Sequence, residues 1–182
     1  MLGIRRFKDI AIDLYQGDIT QFTCDAMGNA ANEQLAGGGG VDGAIHRAGG
    51  SSIMKACKEI GSCATGEAVV TTAGNLPASY VIHGVGPKWG KHNGKESDLL
   101  ESVWTKIMSK AAEIGVRHIA IPSISTGVYG YPLEKAAPIA MNAIRNFIEA
   151  NNTISPKRIT IVLFNDEHHE AYQSNLYATF PE

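Results

Sequence analysis

The chain has 182 residues, 44% of them hydrophobic and 19% charged, which suits one domain (residues 1–182) with its own apolar core. A formal net charge of -2 and a pI near 6.3 leave no broad cationic surface, so nucleic acid is not an expected partner and any anion site must be local. Cys24, Cys57 and Cys63 are odd in number and form no CxxC pair, and no basic-then-apolar leader or spanning apolar run is found; free buried thiols and a cytoplasmic protein that does not enter membranes are expected.

Ile10 to Tyr15 alternates at period two and ends at Gln16-Gly17-Asp18-Ile19-Thr20, a strand leading into a turn. Asp18 there either caps the turn or, as a carboxylate at a strand end, accepts hydrogen bonds from a ligand. A second short strand is expected over Asp25 to Asn29, with Gly28 out of place where a β-branched residue would be usual. The stretch that follows, GNAANEQLAGGGGVDGAIHRAGG from Gly28 to Gly50, carries consecutive glycines, two asparagines, Asp42 and His46 with few bulky core residues. Glycine loses the most conformational freedom on folding, so such a cluster marks sharp turns or a ligand lying close to the backbone.

Helices are predicted over Val41 to Ala48 and Ser51 to Ile60, parted by Gly49-Gly50. Strands are predicted over Glu67 to Thr72 and Tyr80 to Val85, joined through the turn residues Gly74-Asn75-Leu76-Pro77. Residues 86–95, GPKWGKHNGK, read as a surface loop and fail the P-loop spacing. Leu99, Leu100, Val103, Ile107 and Ala111 recur at helical spacing between Ser97 and Gly115, and Arg117 to Pro122 reads as a short buried strand. The loop Ser123-Ile124-Ser125-Thr126-Gly127-Val128-Tyr129-Gly130-Tyr131-Pro132 leads into a helix over Leu133 to Ala150. A strand over Ile159 to Phe164 and a helix from about Asp166 to Leu176 complete the chain; the glycosylation sequon at Asn151 is discounted without a secretion signal.

Strands alternating with helices argue for an α/β fold whose sheet is covered on both faces, with ligands at the carboxyl ends of the strands. Both glycine-rich segments follow predicted strands, and their free backbone N–H groups would cradle phosphate oxygens; the alternative is that they are only tight turns. Gly38, Gly40 and Gly43 also satisfy GxGxxG, but the polar segment 29–36 precedes them, so a nucleotide-like ligand is kept and a dinucleotide fold is not. The six histidines form no HExxH or Cys/His spacing, and neither metal nor cofactor is expected.

Taken together, Asn29-Ala30-Ala31-Asn32, GGGGVDGAIHRAGG at Gly37 to Gly50 and ISTGVYGYP at Ile124 to Pro132 resemble a macro domain of the MacroD type. The resemblance extends to Gly17-Asp18-Ile19-Thr20, the Leu76-Pro77 turn, the Val81 to Gly86 strand and the Phe164 strand end. It implies a three-layer α/β/α fold with a mixed central sheet that binds ADP-ribose. It also implies removal of mono-ADP-ribose from acidic side chains of proteins and deacetylation of O-acetyl-ADP-ribose, by a monomer. Carried over residue by residue, Asp18 would bind the adenine amino group, with Ile19 beside it, and Phe164 would stack near the adenine. Gly39, Gly40 and Val41, facing Ser125, Thr126, Gly127, Val128 and Tyr129, would wrap the diphosphate and far ribose. Asn29 would join the ligand wall, Asn32 would position the far ribose, and Asp42 would be the acid that activates water.

Asp42 falls in the first turn of its helix, where the dipole favours a carboxylate whatever its function. Two routes stay open: Asp42 takes the proton from water, or it orients a water whose proton goes to the substrate's phosphate. His46, four residues on, shares its helix face and is expected to be structural. Gly28 departs from the family's usual valine or isoleucine, and a lost buried side chain predicts that Gly28→Val raises the melting temperature. The competing function is a reader that binds ADP-ribose without turnover; regulation of RNA processing, known in the family, lacks a basic, aromatic-rich surface here.

Overall fold

The computed structural model describes residues 3–151 and 155–182, so Asn152 and Thr153 of the sequon lie outside the described residues. In chain order the elements are β1 (Arg5–Phe7), β2 (Ile10–Gln16), β3 (Ala26–Ala31), α1 (Gly40–Gly49), α2 (Ser51–Ile60), β4 (Ala68–Thr72) and β5 (Tyr80–Val85). They continue as α3 (Glu96–Glu113), β6 (His118–Pro122), α4 (Leu133–Ala150), β7 (Arg158–Leu163) and α5 (Asp166–Thr179), with a 3-10 turn at Ile19–Gln21. The sheet order is β1-β2-β7-β6-β3-β5-β4. The inner strands β2, β7, β6, β3 and β5 run parallel, and β1 and β4 pair antiparallel at the two edges, so the sheet is mixed.

Alternation along the inner strands sends side chains to two separate cores. Met27, Val81, Ala120 and Val162 meet Ile45 of α1 and Ile53 and Cys57 of α2. Ala26, Ile82, Ile119, Ile121 and Ile161 meet α3, α4 and α5 on the opposite face, through Trp104, Ile107, Ile144, Tyr172 and Leu176. Of the stripe that helical spacing predicts on α3, Leu100, Val103, Ile107 and Ala111 are fully buried together with Trp104 and Met108, while Leu99 is half-buried. The result is a three-layer α/β/α fold.

At the amino-terminal ends of the inner strands the sheet is tied by polar groups. Asp13 accepts from Thr160 at 2.6 Å and from Arg158 at 2.6 Å, and Thr160 also meets His118 Nε2 at 2.8 Å. Asp25 accepts from the backbone N–H groups of Arg117 and His118 at 3.1 and 2.8 Å. All three thiols are free and buried, and burial pushes each above its ordinary value, Cys24 to about 11. Among the described residues no helix is long and apolar enough to cross a membrane.

The structure departs from the sequence reading in several places, α5 also running on to Thr179. The three-residue β1 was not expected. β3 runs on to Ala31, which puts Asn29 inside the sheet. β7 ends at Leu163, which releases Phe164 to solvent at 75% exposure. Gly28 leaves no vacant hole. A Cβ there would lie 3.2 Å from Ile121 Cγ2 and 3.3 Å from both Ile121 Cα and Pro122 Cδ, so β6 already occupies the space of a branched residue. A side chain there requires Ile121 and Pro122 to give by a few tenths of an ångström, so Gly28→Val is predicted to destabilise by overpacking unless β6 yields, against the expectation from sequence.

Candidate functional site

Because the inner strands are parallel, the segments leaving them gather along one edge: residues 17–18 after β2, 32–39 after β3, 86–95 after β5, 123–132 after β6 and 164–165 after β7. The first wall is the start of α1. Gly39 is its extended cap, with no side-chain bond to the helix, and Gly40 follows at φ +56°. A helix that opens this way leaves its first-turn N–H groups free, at the positive end of its dipole, beside the exposed backbone of Gly38, Gly39 and Gly40. A side chain at Gly43 would collide with the Gly38 carbonyl, so this glycine lets α1 pack directly on the loop.

Asp42, in that first turn, is 6% exposed. Its Oδ1 accepts from Asn29 Nδ2 at 2.8 Å, and His46 Nε2 lies 3.4 Å from the same oxygen. A Cβ on Gly38 would stand 3.5 Å from Asp42 Oδ2 and 3.9 Å from Asn32 Nδ2, so the two side chains flank Gly38. Asn32 also closes its own loop, donating to Gly37 O at 2.9 Å and accepting from Ala36 N at 3.1 Å. Its turn role is present, and the second Nδ2 hydrogen is left over.

The second wall is the loop after β6. Ser125 sits at φ +68°, a costly conformation for a non-glycine residue, and its buried hydroxyl has no partner among the described residues. Turn bonds from Gly130 N to Gly127 O and from Tyr131 N to Ser125 O fold the loop outward. Among the described residues the N–H groups of Thr126, Gly127, Val128 and Tyr129 find no acceptor, and Val128 is 96% exposed. Tyr129 is half-buried, with Lys88 Nζ 5.3 Å from its ring centre. Burial and the charges of Asp42 and Glu33 push its phenol above the ordinary value. Gly86 permits this closure, since a side chain there would strike Ser125 Oγ and Ile124 Cγ2.

At the far end Asp18 is exposed and caps the 3-10 turn, its Oδ1 accepting from Thr20 N at 2.9 Å and Thr20 Oγ1 at 2.7 Å. Ile19 is buried behind it. The exposed Phe164 ring lies 5.3 Å from the ring of His168. Free backbone N–H groups on the two loops, an exposed aromatic and a carboxylate at one end and a held acid at the other are features that suit an anionic ligand.

A family model described as Macro domain matches residues 28–140. The chain belongs to the macro domain family. The O-acetyl-ADP-ribose deacetylase 2 of Pantoea vagans is 46% identical over 167 residues, covering 88% of this chain and 95% of that protein. A macro domain-containing protein of Cupriavidus necator is 47% identical over 169 residues, 91% of this chain and 96% of its own. Among solved structures, a mutant Oceanobacillus iheyensis macrodomain with ADPR superposes with a TM-score of 0.92 at 35% identity, covering 98% of each chain. The Trypanosoma brucei macrodomain in complex with ADP-ribose gives a TM-score of 0.83 at 39% identity over 90% of this chain and 68% of that one.

Within this macro domain one expected ligand residue takes another place. Asn29 is wholly buried, and its amide is spent on Asp42 and on His83 Nδ1 at 3.0 Å, so it supports the acid instead of lining the groove. Two histidines that carry no motif also belong to the site. His83 lies buried beneath α1, bonded on its other nitrogen to Thr71 Oγ1 at 2.8 Å; burial and nearby His46 hold it down to about 3. His168 meets Asn165 Oδ1 at 2.9 Å and Thr126 Oγ1 at 3.2 Å, tying the Phe164 end of β7 to the second wall, and burial lowers it. The signal for His83 was a lone polar residue in an apolar strand, and for His168 a histidine one turn after Phe164. Among the described residues no group of three His, Cys, Asp or Glu stands ready to hold a metal ion.

Proposed function

We propose that this macro domain binds ADP-ribose and hydrolyses acyl esters of its far ribose, releasing acetate from O-acetyl-ADP-ribose and freeing acidic protein side chains from mono-ADP-ribose. The observation that carries the reading is the buried carboxylate of Asp42, held on Oδ1 by Asn29 while Oδ2 points to the Gly38 side of the groove. A pure reader needs no such acid. Relatives named O-acetyl-ADP-ribose deacetylase at 45 to 47% identity, and a close structural neighbour bearing ADPR, support it.

In this reading Asp18 and Phe164 take the adenine, and Ile19 shapes the floor beneath it. The α1 N-terminus at Gly39, Gly40 and Val41, with residues 125–129, takes the diphosphate through backbone N–H groups. Asn32 and Asp42 meet the far ribose. Water adds to the acyl carbonyl or to the anomeric carbon, the ester C–O bond breaks, and the departing oxygen takes a proton. The proton that water loses goes to Asp42, or to a phosphate oxygen of the substrate while Asp42 only orients the water. A cleft of about 200 Å³ beyond Tyr129, lined by Glu33, Thr65, Lys88, Lys91 and His92, gives a protein-borne carboxylate a cationic exit. The chain acts as one monomeric domain in the cytoplasm, without cofactor or nucleic acid.

The test is turnover of O-acetyl-ADP-ribose and of a glutamate-linked ADP-ribosylated protein by wild type and Asp42→Ala, with ADP-ribose affinity measured for both. A fall of at least about tenfold in kcat with binding retained is expected, equivalent to about 1.4 kcal/mol in barrier. Tight binding without wild-type turnover would make the protein a reader and end the hydrolase reading.

A further inference from the structure

We propose that His83 is a positioning residue that, through Asn29, fixes the carboxylate of Asp42, and that Thr71 on the edge strand β4 sets the tautomer that makes this possible. The proposal deepens the hydrolase reading and rests on it for its kinetic part.

Counting hydrogens fixes the direction of each bond in this network. Asn29 and His83 are direct partners in the register of β3 and β5, so both side chains rise from the same face toward α1. Asn29 Nδ2 has two hydrogens to donate and lies 2.8 Å from Asp42 Oδ1 and 3.0 Å from His83 Nδ1, so one goes to each. The carboxylate can only accept, which fixes the orientation of the amide, and the amide in turn requires Nδ1 to accept. His83 must therefore carry its proton on Nε2, where Thr71 Oγ1 receives it at 2.8 Å. The Thr71 hydroxyl passes its own hydrogen to Thr72 O at 2.9 Å, so the direction of every bond from β4 to α1 is determined. The other groups around the ring are His46, 6.2 Å away between ring centres, and Cys57, whose Sγ is 3.9 Å from Nε2. Neither supplies an equivalent acceptor.

If the imidazole moved its proton to Nδ1, a hydrogen would point at a hydrogen, and the Asn29 amide would have to turn its oxygen toward the ring. That turn would remove the amide donor from Asp42 and leave the carboxylate held only by His46. Asn29 Oδ1 is buried and has no partner among the described residues, so no bond on that side of the amide opposes the turn; the Asp42 carboxylate and the chain that ends at Thr71 are what hold it. Neither His83 nor Thr71 touches the groove; both act through Asn29.

The experiment compares wild type with Thr71→Val, which keeps the shape and removes the acceptor, and Thr71→Ser, which keeps the hydroxyl. Three readouts are taken: kcat on O-acetyl-ADP-ribose, the Kd of ADP-ribose, and the His83 ring nitrogen shifts by NMR. Wild type is expected to show the Nε2–H tautomer. Thr71→Val is expected to shift it toward Nδ1–H and to lower kcat at least fivefold, with Kd within twofold of wild type, and Thr71→Ser to restore both. A merely structural Thr71 would lower the melting temperature and leave kcat per folded molecule unchanged, which overturns the proposal, as does an Nδ1–H tautomer in wild type. If wild type does not turn over at all, the hydrolase reading fails separately. The Asp42 carboxyl carbon shift then decides the positioning claim: displaced in Thr71→Val supports it, unmoved overturns it.

Discussion

The buried imidazole of His83 makes a quantitative demand on the acid stability of the whole domain. Burial and His46 hold it at about 3, against 6.5 for the free side chain. Below pH 6.5 the unfolded chain binds a proton that the folded chain refuses until about pH 3, so the stabilisation is complete above 6.5 and is lost as pH falls toward 3. Lowering the pH to about 5 removes about 2 kcal/mol, a figure that changes little for any folded value below about 4. For a domain of this size that corresponds to about 4–8 °C in Tm. Calorimetry at about pH 7.5 and about pH 5 on wild type and His83→Gln isolates the effect. His118 and His168, also lowered by burial, are common to both proteins and cancel. Wild type should lose the additional degrees on acidification. Equal losses in the two proteins would refute the claim that His83 is buried in its neutral form.

Gly28→Val should lower Tm by roughly 2–10 °C, from about 1–3 kcal/mol of overpacking against Ile121 and Pro122; an unchanged or raised Tm would show that β6 gives way. Gly43→Ala should push α1 from the Gly38 carbonyl and weaken ADP-ribose binding at least about tenfold by titration calorimetry, and a wild-type Kd would contradict the close-packing account. Phe164→Ala should leave stability within about 0.5 kcal/mol because the ring is exposed, yet cost about 1–3 kcal/mol of affinity if it stacks on adenine. Undiminished affinity would remove Phe164 from that role.

The helices and long strands were legible because each carries its own period and its own stop: α3 shows its stripe from Leu100 to Ala111, and Gly115 ends it at φ +69°. The gathering of the two glycine-rich loops followed from strand direction alone. What was not legible depends on neighbours far along the chain. β1 has only Arg5, Arg6 and Phe7, too few to show alternation, and exists because Arg5, Arg6 and Phe7 pair with Ile12, Ala11 and Ile10. His83 looked like one polar residue in Val-Ile-His-Gly-Val; its meaning comes from Asn29 on β3 and Thr71 on β4, brought alongside by the sheet. Gly28 suggested a missing side chain, whereas the packing of Ile121 beside it shows that the space is in use.

The two ends of the strands hold different kinds of residue, and this bears on how such a domain can change over time. At one end Asp13, Thr160, Arg158 and Asp25 lock strand to strand, and at the other the loops after β2, β3, β5, β6 and β7 face outward. Effects of substitutions at such separated places add with little coupling. A lineage can therefore accumulate stability at the locked end and later use that reserve for loop changes that alter what the groove accepts. An exception is the chain from Thr71 to Asp42, where a change on an edge strand reaches the groove, and there drift in specificity and drift in stability are inherited together.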